Sequence, residues 1–323
     1  MRALSVSALA GAAFLAASAA LAGPAVEPLV SDAWLKAHLN DPEVVVLDVR
    51  HQLAGTTKAD YEKGHIPGAV WTDYPTGWRV ERDGIPHVVP SLETIEANLG
   101  NLGIDETKTV VVVPSGTNAT EFGSAARIYW TLKYLGHDAV AILDGGTSGW
   151  MADAANPVEK GAVAPVPTIF TSTVRDELLA TTADVRSLME AKSALLVDGR
   201  PEDEFRGFGK HPQATRYGHI PGALNLDQAK FYDSRTNRLR PREELAKIVP
   251  AAMSSRSEPI VSYCNTGHWA ATNWFVLSEL LGYENIRLYD ASMVGWSRDA
   301  ALPMDSERTR LDDLMDWFRK LTS

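Results

Sequence analysis

Cys264 is the single cysteine of this 323-residue chain. It sits in the run Ile260-Val261-Ser262-Tyr263-Cys264-Asn265-Thr266-Gly267-His268-Trp269, where an apolar, strand-like segment gives way to a helix-like one. A thiol at a strand end, followed by a small-residue turn and a helix N-terminus, faces unpaired backbone N–H groups and the positive end of a helix dipole. Such surroundings favour thiolate over thiol. Asn265, Thr266 and Gly267 suit tight or positive-φ turns, and a turn of that kind aims successive amides inward as a nest for an anion. The chemistry implied is covalent catalysis at sulfur, without metal or cofactor. Residues Asn265 to Trp269 are the expected binding loop, with at least one of the His268 and Trp269 side chains bordering the pocket. His268 is either a pocket wall or a charge that lowers the thiol pKa.

Several elements must position that loop, and the chain carries them twice. Val45-Val46-Leu47-Asp48-Val49-Arg50 returns as Leu195-Leu196-Val197-Asp198-Gly199-Arg200, and Gly64-His65-Ile66-Pro67-Gly68-Ala69 returns unchanged as Gly218 to Ala223. Leu135-Gly136 and Asp144 through Gly149-Trp150 return as Leu281-Gly282 and Asp290 through Gly295-Trp296. Matches in the same order at similar offsets indicate a duplicated domain. Each copy opens with a β-branched run ending in Asp, as a buried parallel strand does. A second such run, Thr109 to Val113 or Ile260 to Tyr263, leads into a helix, and Ala270, Trp274, Leu277 and Leu281 keep helical spacing up to Gly282. The pattern predicts an α/β fold in which each domain is a mainly parallel sheet with helices on both faces. Expected boundaries are 1–22 for a signal peptide, 23–151 for the N-terminal domain, 152–167 for an Ala/Pro-rich linker and 168–323 for the C-terminal domain. Leu311, Leu314, Met315, Phe318 and Leu321 give a closing amphipathic helix.

Composition narrows the function classes. Arg2, the apolar stretch from Ala8 to Leu21 and the small residues Ala20-Leu21-Ala22 form a secretory signal cleaved before Gly23, which places the mature chain in the periplasm or outside the cell. No later segment is long and apolar enough to span a bilayer. One cysteine cannot make an internal disulfide, so stability rests on core burial. A net charge of −10 argues against nucleic acid as a partner, and an anionic substrate must be drawn by local cations. Arg206, following the strand end on the edge that carries Cys264, is the first candidate for that role. Arg200 reads as a structural partner of Asp198 or as a second substrate contact. His65, His219, Trp150 and Trp296 read as packing residues in turns set by Gly and Pro.

The duplicated architecture, both Gly-His-Ile-Pro-Gly-Ala segments, the Asp-x-Arg after the second copy's first strand and the Cys-x-x-Gly loop resemble the two-domain rhodaneses over nearly the whole mature chain. That resemblance implies tandem rhodanese-like domains, the first catalytically silent because Pro114-Ser115-Gly116 takes the place of Tyr263-Cys264. It implies a double displacement in which Cys264 takes a sulfane sulfur from a small anionic donor and passes it to cyanide, a thiol or a protein acceptor. Members favouring thiosulfate often carry Arg or Lys in the loop, whereas the 3-mercaptopyruvate enzymes have neutral Cys-Gly-Ser-Gly loops, of which Thr266 keeps the hydroxyl. Those enzymes also have a His three residues before a Pro, matched by His87 and Pro90, with an Asp partner that falls near Pro75 and Asp73. Their substrate arginines fall at Glu204 and around Pro212 or Gln213, with Lys210, His211 and Arg216 nearby. Two rival functions have the same nucleophile. A phosphatase or arsenate reductase needs a guanidinium six residues after the thiol, where this chain has Ala270. A persulfide carrier needs only the thiol loop.

Overall fold

A computed structural model describes residues 26–309 except Arg256, together with 311 and 312. The expected signal segment and, beyond residue 312, the expected closing helix lie outside the described residues.

Two five-stranded sheets carry the fold, and they have one strand order. In the first, β1 (Leu29–Val30), β2 (Val44–Asp48), β3 (Val70–Trp71), β4 (Thr109–Val113) and β5 (Val140–Leu143) run in the order β1-β5-β4-β2-β3. In the second, β6 (Leu179–Ala180), β7 (Leu195–Asp198), β8 (Leu224–Asn225), β9 (Ile260–Tyr263) and β10 (Ile286–Tyr289) run β6-β10-β9-β7-β8. Every pairing within both sheets is parallel.

The β-branched run Thr109–Val113 is buried along its whole length, as a central parallel strand covered by helices must be. Its period of two divides the core. Val110 and Val112 face one cluster, while Val111 and Val113 face another with Val30, Leu35 and Trp150. The first of these clusters is continuous with the second domain, reaching Val197, Ile260, Trp274 and Leu288. The halves therefore share one apolar core.

At the centre of that shared core are two helices, α1 (Ala119–Tyr134) and α2 (His268–Phe275). Tyr129 meets Phe275 edge-on with ring centroids 4.9 Å apart, and Phe122 lies 5.9 Å from the same ring. Polar latches accompany the apolar contact. The Arg127 guanidinium donates to Asp290, the Tyr129 hydroxyl donates to Glu279 at 2.6 Å, and Arg238 reaches Asp144 at 3.0 Å. Arg127 and Asp290 are both buried, so removing either leaves an uncompensated charge at a cost of about 3–5 kcal/mol. The helical spacing from Ala270 to Leu281 is realised as α2 followed by a π-helical turn, Val276–Leu280, ended by Gly282 at φ 72°.

The repeated motifs make repeated contacts. Arg50 grips Asp48 and the Gly64 carbonyl, and Arg200 grips Asp198 and the Gly218 carbonyl. The Trp150 and Trp296 indoles are fully buried and donate to Pro157 O and Pro303 O, each at 2.9 Å. His65 stacks on Tyr61 and His219 on Phe205.

The connection between sheets is longer than the Ala/Pro composition suggests. Glu159 bridges to His65, Thr168 N donates to Gly100 O, Thr173 N to Leu135 O and Arg175 N to Tyr134 O. Residues 168–175 thus lie against the first domain before β6 begins, because their backbone groups find partners there.

Candidate active site

Strand pairing places Cys264. Val113 pairs with Asp48 in the first sheet and Tyr263 with Asp198 in the second, so Pro114 and Cys264 are the first residues past the strand ends. The same backbone bonds fix both loops: Thr147 N and Ser148 N donate to Pro114 O and Ser115 O, as Met293 N and Val294 N donate to Cys264 O and Asn265 O. In the second loop Ser292, held at φ 47°, accepts from Cys264 N and Gly267 N at 3.1 Å each and donates to Tyr289 O. Gly267 caps α2 at φ 71°. A Cβ there would run into the Arg127 guanidinium and the Asp290 carbonyl, so backbone freedom and close approach both demand glycine.

The thiol is 1 % exposed yet lines a cavity of about 280 Å³. Burial pushes the Cys264 thiol up, against the N–H groups of Ala270, Thr266 and Trp269, which are directed at the sulfur and pull the other way. The nest expected from Asn-Thr-Gly and the helix start is therefore present. Its expected net effect on the resting thiol is corrected, because loss of solvent outweighs the amides.

The cavity lies between the domains. Leu53, Arg79, His87 and Thr120 come from the first, and His211, Cys264, Asn265, Thr266, His268 and Trp269 from the second. Of the residues named from sequence, Asn265, Thr266, His268, Trp269 and His87 are thus brought together at the cavity, whereas Gly267 is not part of its lining. Asn265 donates to Glu204 at 2.7 Å, and His87 lies 2.9 Å from Gln213. His268 Nε2 lies 2.6 Å from Thr120 O, an acceptor only, so that nitrogen carries the proton and Nδ1 accepts from the Tyr74 hydroxyl at 2.7 Å. Burial, and after it the charge of Arg79, pushes His268 down to about 3. The imidazole is neutral at ordinary pH, so the reading of His268 as a charge beside the thiol falls away.

Two candidates lie elsewhere. Arg206 is bound to Glu307 at 2.8 Å, stacks on Phe208 and is absent from the cavity lining. Its helix, Glu202–Arg206, turns the side chain toward the segment after Pro303 rather than toward the loop. Arg200 is buried in its pair with Asp198 and also does not line the cavity. Sequence reasoning missed Arg79, Leu53, Thr120, Tyr74 and Ser292. Among the described residues no group of three or more His, Cys, Asp or Glu side chains could hold a metal.

These features define a class of protein: a tandem α/β repeat in which one copy presents a buried cysteine in an amide-lined loop beside a cavity. The rhodanese-like domain family matches residues 31–153 and 181–299, and the chain belongs to that family. It is 31% identical over 277 residues to the 3-mercaptopyruvate sulfurtransferase of Escherichia coli K12, covering 84% of this chain and 95% of that protein. It is 33% identical over 291 residues to the sulfur carrier protein TtuD of Thermus thermophilus, covering 86% and 96%. The crystal structure of SseA from Escherichia coli, a 3-mercaptopyruvate sulfotransferase of rhodanese fold, superposes with a TM-score of 0.71 at 30% identity, covering 83% of this chain and 99% of that one.

Proposed function

We propose that the protein is a sulfurtransferase that moves a sulfane sulfur from thiosulfate or a related small anionic donor through a persulfide on Cys264 to a thiophilic acceptor. The observation that carries this reading is the buried thiol on a cavity wall with three backbone N–H groups directed at its sulfur. The Cys264 thiolate attacks the outer sulfur of the donor. An S–S bond forms to Cys264, the donor's own bond to that sulfur breaks, and the electron pair leaves with sulfite. The acceptor, cyanide or a thiolate, then attacks the outer persulfide sulfur, and the electron pair of the breaking S–S bond returns to Cys264. With 3-mercaptopyruvate as donor the bond broken is C–S, and the carbon takes up a proton to leave as pyruvate. The amides of Thr266, Trp269 and Ala270 stabilise the charge in both half-reactions. Residues 1–22 support export, so the proposed location is the periplasm or the medium.

The relationship to a named sulfur carrier supports a second reading, in which the persulfide is delivered once to a protein acceptor. Steady-state assays with thiosulfate or 3-mercaptopyruvate and cyanide separate the two. The enzyme reading expects ping-pong turnover. A single equivalent of sulfur loaded on Cys264, without cycling to cyanide or simple thiols, is the carrier result.

A further inference from the structure

Arg79 lines the Cys264 cavity from the first domain, and it is 6 % exposed. Among the described residues its guanidinium has no hydrogen-bond partner and no carboxylate within ion-pair distance, and its Nε is buried and unsatisfied. It lies over the face of the Tyr74 ring, 4.6 Å from the centroid. The other buried arginines differ: Arg50, Arg127 and Arg200 are each neutralised by an aspartate. A buried, unpaired cation is costly, and a fold retains one where an incoming anion completes it.

The rest of the cavity agrees. No Asp or Glu lines it. His87, His211 and His268 do, and burial holds all three below the usual imidazole range, so Arg79 is the permanent cation of the lining. The second domain supplies no such group: Glu204 is bound to Asn265, and Gln213 to His87. We infer that Arg79 is the specificity-determining residue of this site. It receives the anionic end of the donor, a carboxylate or sulfur oxyanion, on its planar fork while the transferable sulfur lies against Cys264. The selected class is a short monoanionic or sulfur-oxyanion donor, in preference to a neutral persulfide. The inference rests on the sulfur-transfer reading for the name of the donor, and on the cavity alone for the anion.

Alkylation of Cys264 tests the two parts separately. Iodoacetate and iodoacetamide differ by one charge, and their rate ratio cancels changes in thiol ionisation. The ratio on the full chain should exceed that of free 2-mercaptoethanol, and it should fall at least about tenfold in Arg79→Gln. Arg79→Lys should retain part of it. KM for thiosulfate and 3-mercaptopyruvate should rise in Arg79→Gln by a similar factor, with a smaller change in kcat. A wild-type ratio equal to that of the free thiol overturns the inference without any variant. An unchanged ratio in an Arg79→Gln protein that still reacts normally with iodoacetamide does the same. Loss of the ratio in Arg79→Gln, with neither donor turned over by wild type nor loading sulfur on Cys264, upholds the anion site and removes the sulfur-transfer reading.

Discussion

The two loops at the carboxyl edges of the two sheets share one backbone pattern and aim their amides at different groups. In the first domain, Ser115 N and Gly116 N donate to the carboxylate of Glu121, the latter at 2.9 Å. In the second, the amides of Thr266, Trp269 and Ala270 face the Cys264 sulfur and an open cavity. Glu121 is 1 % exposed, and burial pushes it up to about 7 despite the amides. An amide nest therefore does not by itself make a site. Where an internal carboxylate fills it, the loop is a structural joint. Where it is left to a thiol beside a cavity, it is available for chemistry.

The largest expected effect breaks the comparison outright. Cys264→Ser should reduce sulfur transfer by at least about a thousandfold while circular dichroism and thermal unfolding stay close to wild type, since one buried atom changes. Near-normal turnover in that variant would move the chemistry away from the second loop.

Gly267→Ala attacks the loop's geometry rather than its nucleophile. The added Cβ sits at positive φ against the Arg127–Asp290 latch, and should cost about 3 kcal/mol in urea unfolding together with most activity. An unperturbed midpoint would show that the latch yields more freely than its burial implies.

Glu121 sharpens the comparison through pH. Its folded pKa of about 7 lies above the ordinary 4.5, so the protein loses stability from this group as pH rises from about 4.5 through 7. Relative to wild type, Glu121→Gln should gain about 3 kcal/mol between pH 4.5 and 8, the free-energy equivalent of that shift. His268 and His51, pushed down by burial to about 3 and about 4, act in the opposite sense, with stability lost as pH falls below about 6.5. They are common to both proteins and cancel in the difference. A difference that is flat with pH would mean that Glu121 titrates normally.

The smallest effect is expected at Arg206, which is exposed and bound to Glu307. Arg206→Ala should leave KM for either donor within about twofold. A large rise in KM would return Arg206 to the site in place of Arg79.

How far this arrangement can be read from sequence follows from what is local. The duplicated strands, the Cys264 loop and the helix after it are short-range patterns, and the periodicity and turn residues show them directly. Arg79 is not, since it lies in the two-residue link between the short helix Tyr74–Gly77 and the strand Val80–Arg82, and nothing in the sequence sets it apart from Arg82. Long-range contacts carry the first domain's side chains over the second domain's loop: α1 packs on α2, and Val89 N donates to Asp290 at 2.7 Å close to His87. Arg206 was misplaced for the complementary reason: proximity along the chain to a strand end does not say which way a one-turn helix aims its last side chain. Ser292 left a trace, because it takes the place of Gly146 in the Asp-x-x-x-x-Gly-Trp repeat, and both hold a positive φ.

The account stands on sulfur residing covalently on Cys264. Incubating the purified protein with one equivalent of thiosulfate, then mapping the intact and digested chain by mass spectrometry before and after cyanide, reads this directly. The expected result is the mass of one sulfur atom on the Cys264 peptide, lost on adding cyanide with an equal amount of thiocyanate released. Thiocyanate formed while that peptide never gains the sulfur would contradict the mechanism.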